Sequence, residues 1–249
     1  MRLSTLDKSL QVIEFLTKRP QGLSLAEISS GLQWPKSTVH HILSTLLPYG
    51  YVSQEPETRK YGLGFKFLSV SKIILDNIDV RKIAGRHLRW LHQACGEAVH
   101  LAVLRNGSVV YIDKIDRGDG LSLATYVGFA TEPHAAAGGK VLLADLSAAE
   151  VKAIFGREPL KTYGKKTITS LEELFKELNQ IRDQGFAIDD EEYYEGVRCV
   201  AAPVRAGSKV VASVSVTGSI FTMTRERIDQ EVIDLVKAAA GKISAEMQW

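Results

Sequence analysis

The chain lacks most of the features that define stapled, secreted or membrane-bound proteins. Its 249 residues contain two cysteines, Cys95 and Cys199, which excludes a disulfide framework and a paired-cysteine metal motif. No apolar run approaches the ~18 residues that a membrane-spanning helix requires. The N-terminal stretch is interrupted by Asp7, Lys8 and Glu14, so it does not form the apolar core of a secretory signal. Internal repeats and low-complexity segments are also missing. The net charge is only +2, from 31 Lys and Arg against 29 Asp and Glu. These absences lead us to expect a cytoplasmic protein with no membrane partner.

The remaining composition is that of a soluble globular protein, with 45% hydrophobic and 24% charged residues. The length favours two domains over one. Charge is unevenly spread. Residues 1–78 carry nine Lys and Arg against six Asp and Glu, while the remainder carries 22 against 23. A small basic excess at one end is compatible with a nucleic-acid module, though many domains that bind none show as much.

Periodicity orders the first part. Leu10, Ile13 and Leu16 recur at helical spacing over about 5–18. Ser24 and Glu27 form a capping-box pair that opens a short helix over about 25–31, with Gly31 expected to stop it. Pro35 suits the start of a third helix over about 36–48. A hairpin follows, with Tyr51–Ser53 and Tyr61 onward as strands around a polar tip. This order predicts a winged helix-turn-helix over 1–62, then a linker helix over 63–78. The second domain, over 79–249, reads as a long helix (79–95), then strands at 98–104, 108–115 and 121–127. Helices start near Gly138, Ser147 and Ser170, strands return at 185–189, 197–204 and 209–217, and a last helix starts at Thr224. The fold class is α+β with a largely antiparallel sheet.

In a helix-turn-helix the second helix enters the major groove, and its N-terminal residues meet bases and phosphates. Those residues here are Lys36, Ser37, Thr38, His40 and His41, with Arg59 and Lys60 on the wing. Lys36 can neutralise a phosphate, and Ser37 and Thr38 are short donors. Val39, Ile42, Leu43 and Leu46 form the buried side. The alternative is a helical module that binds protein partners through a degenerate helix-turn-helix.

The segments Leu6-Asp-Lys-Ser-Leu10, Leu23-Ser-Leu-Ala-Glu-Ile28, Pro35-Lys-Ser-Thr-Val-His40 and Tyr61-Gly-Leu-Gly64 together resemble the IclR family of bacterial regulators. The second part resembles it too, through His134-Ala-Ala-Ala-Gly-Gly-Lys140, Asp189 with Glu191-Glu192, Gly196-Val-Arg-Cys-Val-Ala-Ala-Pro-Val204 and Val214-Ser-Val-Thr-Gly218. The resemblance implies a GAF-like C-terminal domain that binds a small-molecule effector. It also implies dimers or tetramers that meet a palindromic operator in double-stranded DNA. Two departures stand out. His41 occupies a place where the family usually has Arg, and Glu132-Pro133 precedes the His where Pro-Leu is common.

Ala135–Gly139 is a run of five small residues at a helix start. Small side chains admit a ligand to the backbone, and helix N-terminal amides hold anions, but close packing selects the same residues. The run is not a P-loop, because Val141 stands where Ser or Thr is required. Lys140 either adds charge there or points away. Ser215 and Thr217 alternate on a strand and share a face. The resemblance implies an effector, often a carboxylate, surrounded by Leu123, His134, Ala137, Gly138, Asp189, Cys199, Ser215 and Thr217, and no cofactor. His134, Asp189 and Cys199 also suit zinc by ligand type, without a spacing motif. Ser215, His134 and Asp189 can be drawn as a hydrolytic triad, but no Gly-x-Ser-x-Gly elbow surrounds the serine. His100, in an apolar strand, is expected to be a satisfied core histidine.

Overall fold

The structure is a computed structural model that describes residues 4–118, 125–156 and 159–247. The chain divides into two compact units, Met1–Asn77 and Ile78–Trp249.

In the first unit, α1 (Thr5–Thr17) is opened by Ser4, whose hydroxyl accepts from the Asp7 amide while the Asp7 carboxylate accepts from the Ser4 amide. The same reciprocal box, Ser24 with Glu27, opens α2 (Leu25–Leu32). Gly31 does not stop α2 as expected. It lies inside the helix, because the Phe15 ring presses so closely that a Cβ would fall 2.3 Å from Cζ. Gln33, in the left-handed region at φ 56°, ends the helix instead. α3 (Lys36–Leu46) follows Pro35 at its N-cap. β1 (Val52–Gln54) and β2 (Tyr61–Leu63) pair antiparallel, and Leu23 bridges to Tyr61. Val12, Leu16, Ile28, Val39, Ile42 and Leu43 form the core. α4 (Lys66–Asp76) buries none of its residues and leaves Leu68, Ile73 and Ile74 exposed.

The second unit opens with α5 (Asp79–Cys95), closed by Gly96 at φ 67°. β3 (Ala98–Arg105) and β4 (Ser108–Ile115) are joined by Asn106 and Gly107, both at positive φ as a tight hairpin requires. Of the strand expected at 121–127, residues 121–124 lie outside the described residues, and 125–127 form no strand. The short β5 (Ala130–Thr131) follows. Next come α6 (Ala137–Ala144), α7 (Ala148–Phe155), α8 (Leu171–Gln184), β6 (Ala187–Asp190), β7 (Val197–Ala206) and β8 (Lys209–Ser219). α7 has the full box of Ser147 with Glu150, whereas at α8 only the Ser170 hydroxyl caps, accepting from the Glu173 amide. After Thr224, α9 (Arg225–Arg227) runs through a π-helical turn at Ile228–Val232 into α10 (Ile233–Glu246).

The six strands form one antiparallel sheet in the order β5-β4-β3-β8-β7-β6. Strand alternation gives it two faces. Val99, Leu101 and Val103, with Val200, Val204, Val214 and Val216, pack against Leu88 and Leu91 of α5 and Val236 and Ile243 of α10. The other face is covered by α6, behind which Val141 and Leu143 meet Leu174, Leu178 and Ile181 of α8. This second face carries the polar residues, and it holds the recess described next.

Candidate functional site

The register of the sheet assembles the recess. Asp189, Cys199, Thr217 and Ala98 are successive cross-strand partners on β6, β7, β8 and β3. The next row on the same face is Ala187, Ala201, Ser215 and His100. α6 stands over these rows with its N-terminal turn pointing at them. The resulting cavity has a volume of about 490 Å³, its open mouth included. Ala136, Ala137 and Gly138 line it from the helix; Asp189, Cys199, Ser215 and Thr217 line it from the sheet.

Several lining residues were not anticipated from sequence. His100, Tyr111, Phe129 and Thr131 form one wall, and Tyr193 and Tyr194 form another. Tyr111 lies between His100, at a ring separation of 4.9 Å, and Phe129, at 6.0 Å. Tyr193 stacks on Tyr163 at 4.3 Å and meets Tyr194 edge-on. The only usable sequence signal was the pair Tyr193-Tyr194 beside the anticipated Asp189. Tyr111 and Phe129 sit in apolar stretches that look like any core strand.

The electrostatics are unusual for a recess that can take an anion. No Lys or Arg is among the described lining residues. Burial, followed by the nearby Lys114 charge, pulls His100 down to about 3, so it is a neutral imidazole. Its Nε2 lies 3.0 Å from Thr125 Oγ1 and its Nδ1 3.5 Å from Thr217 Oγ1. His100 is thus a satisfied buried histidine, and it also borders the recess. Burial, reinforced by the Glu192 carboxylate, pushes Asp189 up to about 7. Burial pushes the Cys199 thiol well up, with Asp189 adding to the effect. Positive potential comes instead from α6. Ala136 at its N-cap has no side chain to bond the first-turn amides, so those of Ala137 and Gly138 stay available. Among the described residues, the Thr131 hydroxyl, in a residue 6% exposed, has no partner.

The small-residue run therefore serves two purposes. Gly139 is packing, since a Cβ there would fall 2.3 Å from the Pro133 carbonyl oxygen. Gly138 approaches Ser213 Oγ and also lines the recess. Two anticipated residues need correction or qualification. His134 does not line the recess. It is held elsewhere: its Nε2 bonds the Lys161 carbonyl at 2.8 Å and its ring sits edge-on to Phe155. Ser215, His134 and Asp189 therefore do not converge as a triad, and His134 does not join Asp189 and Cys199. Among the described residues, no group of three or more His, Cys, Asp or Glu is placed to hold a metal. Leu123 lies outside the described residues. Lys140 points away from the recess.

In the first unit, Lys36, Ser37, His40 and His41 are exposed along one side of α3 and Thr38 is half-buried, while Val39, Ile42 and Leu43 face the core. Arg59 is exposed at the wing tip and Lys60 is half-buried. Sequence reasoning missed Thr5 and Lys8 of α1, which share a concavity with Ser37, Thr38 and His41. The Lys8 ammonium lies 5.9 Å from the Trp34 ring, at the turn that leads into α3. Among the described residues, no helix is long and apolar enough to cross a membrane.

Comparison with known proteins matches both units. Residues 5–56 match the IclR helix-turn-helix domain, and residues 72–245 match the bacterial transcriptional regulator IclR C-terminal domain. The HTH-type transcriptional regulator KdgR of Escherichia coli is 38% identical over 229 residues, covering 91% of this chain and 86% of that protein. The crystal structure of the Thermotoga maritima IclR protein superposes with a TM-score of 0.81 at 30% identity, covering 98% of each chain. An IclR homologue from Microbacterium hydrocarbonoxydans, complexed with 4-hydroxybenzoate, shares the fold. Its TM-score is 0.81 at 21% identity, covering 98% of this chain and 99% of that one.

Proposed function

The chain belongs to the IclR family of bacterial transcriptional regulators, and from that premise we propose that it is a cytoplasmic regulator of a catabolic operon whose hold on DNA responds to a small organic acid. The observation that carries the acid reading is the polarity of the recess. It offers donors, the uncapped amides of α6 and the hydroxyls of Ser215 and Thr217, as one pole and an acceptor, Asp189, as the other. A carboxylate accepts from the first set, and a hydroxyl, amine or amide donates to Asp189. Compact diacids are disfavoured above about pH 7, where Asp189 is ionised and repels a second anion. The 4-hydroxybenzoate held by the Microbacterium homologue is an acid with a donor at its far end, and so belongs to the favoured class.

On the DNA side, Lys36, Ser37, Thr38, His40 and His41 enter the major groove, and Arg59 and Lys60 follow the backbone. One such unit reads only a short half-site, so two copies meet a palindromic operator. Their pairing uses the exposed Leu68, Ile73 and Ile74 of α4, in a dimer or a tetramer. The protein catalyses no reaction on its effector.

The test has two arms. The immobilised full chain is used to select genomic DNA fragments at low and moderate salt, and the purified protein is screened by thermal shift against small monocarboxylic acids. We expect recovery of one palindromic sequence with steep salt dependence, and a raised unfolding temperature with one class of acid. Hydrolysis of simple esters together with failure to retain DNA overturns the proposal.

A further inference from the structure

We propose that Lys140 is a positioning residue of the effector site: its buried ammonium ties α6 to the segment that carries Asp189, and so sets the distance between the two poles of the recess. This inference rests on the effector reading above. Lys140 is 0% exposed and lies one turn after the amides of Ala137 and Gly138. Its Nζ donates to Glu192 Oε1 at 2.6 Å, to the Ile188 carbonyl at 2.7 Å and to Glu177 Oε1 at 3.1 Å. An ammonium has three protons, and each has a partner.

Two of those partners bracket Asp189. Ile188 is the residue before it on β6. Glu192, whose amide donates to Asp189 Oδ1 at 2.8 Å, is three residues after it. The tyrosines that wall the recess, Tyr193 and Tyr194, follow Glu192 directly. A single ammonium therefore fixes the helix at one pole against the carboxylate and the aromatic wall at the other. Burial opposes its charge, but Glu192 and Glu177 outweigh that and hold the ammonium above its ordinary range.

Stability alone does not account for this arrangement. A buried ion pair pays a desolvation cost, and a well-packed apolar replacement of similar volume is often neutral or stabilising. What an apolar replacement cannot reproduce is the directed bond to the Ile188 carbonyl and the fixed distance it imposes on Asp189. Geometric precision of this kind governs affinity at polar sites.

The experiment compares the full-length wild type with K140M, K140M/E192M, E192A and E192Q. Thermal unfolding reports stability, and calorimetric titration with glycolate, lactate and 4-hydroxybenzoate reports affinity. In K140M/E192M the buried Glu192 charge is gone and only the part-exposed Glu177 carboxylate loses its partner, so the unfolding temperature is expected to return to that of the wild type or exceed it. Affinity for the tightest probe is expected to stay at least about tenfold weaker, equivalent to about 1.4 kcal/mol. Recovery of affinity along with stability overturns the proposal. E192A and E192Q keep the test valid if the Lys140 variants do not fold. The Gln oxygen still accepts from Nζ, so E192Q should bind within about threefold of wild type while E192A weakens about tenfold. Equal affinities of E192A and E192Q overturn the inference. A wild type that binds none of the three acids sinks the acid reading and this inference with it. A wild type that binds, with unchanged variants, sinks this inference alone.

Discussion

Asp189 on β6 is the direct cross-strand partner of Cys199 on β7, and both line the recess beneath α6. Burial raises the Cys199 thiol, Asp189 adds to that rise, and Thr217, its cross-strand partner on β8, opposes it. Burial, reinforced by the Glu192 carboxylate, pushes Asp189 itself up to about 7.

That titration has a definite sign. A carboxyl raised in the folded state contributes stability that is complete below its unfolded value of ~4 and is lost as pH rises through its folded value. The window for Asp189 is therefore about pH 4 to 7. Asp189→Asn removes the titration, so the variant should gain on wild type across that window by roughly 3–4 kcal/mol. His100, depressed and neutral, contributes the opposite slope, but it is present in both proteins and cancels in the difference. Urea unfolding of the full chains at pH 4.5 and 8 measures the change. Parallel stabilities at the two values would refute it.

Ser215 and Ser213 make an internal control. Ser215 lines the recess, whereas Ser213, on the same face of β8, does not, and its buried hydroxyl has no partner among the described residues. Ser215→Ala should weaken every acid alike by roughly 1.5–3 kcal/mol, the worth of one hydrogen bond to a charged group. Ser213→Ala should leave affinity unchanged and cost no stability, since no bond is lost. Titration calorimetry on both variants decides. Equal losses would remove the hydroxyls from the ligand pole.

Most of the first unit was legible in the sequence, because its signals are local. Ser24 with Glu27 specifies a helix start within four residues, and it forms as expected. Gly31 misled because its role is tertiary: only the Phe15 ring, brought from α1, explains why a glycine belongs inside α2. The same contrast marks the recess. Ser215 and Thr217 could be placed on one face by strand alternation alone. Lys140 could not be oriented, since its partners Glu177, Ile188 and Glu192 come from three later segments. His134 belonged to a motif but not to the cavity, because its partners, the Lys161 carbonyl and the Phe155 ring, come from later segments.

Lys36 begins α3 with an exposed side chain, in the place where a phosphate contact is expected. Lys36→Ala should weaken binding to all sequences and lower the salt slope by about one unit. Binding isotherms on a fixed duplex across a salt series test this. An unchanged slope takes Lys36 out of the interface.

The exposed apolar residues of α4 give a prediction about assembly. Leu68, Ile73 and Ile74 are 64%, 64% and 59% exposed, more than an isolated chain gains by leaving in water. Wild type should be at least dimeric at micromolar concentration, and Ile74→Glu should shift it toward monomer while preserving the fold. Light scattering with circular dichroism measures both. A monomeric wild type contradicts the expectation.

The central claim is that occupancy of the recess changes the hold of the helix-turn-helix on DNA. Fluorescence anisotropy of the selected operator duplex, titrated with the acid that most raises the unfolding temperature, tests it most directly when run on wild type and Ser215→Ala in parallel. The account predicts a saturable change in DNA affinity for wild type, and for the variant the same change at roughly tenfold or more higher ligand concentration. DNA affinity that is indifferent to the bound acid, or a response identical in the two proteins, would contradict it.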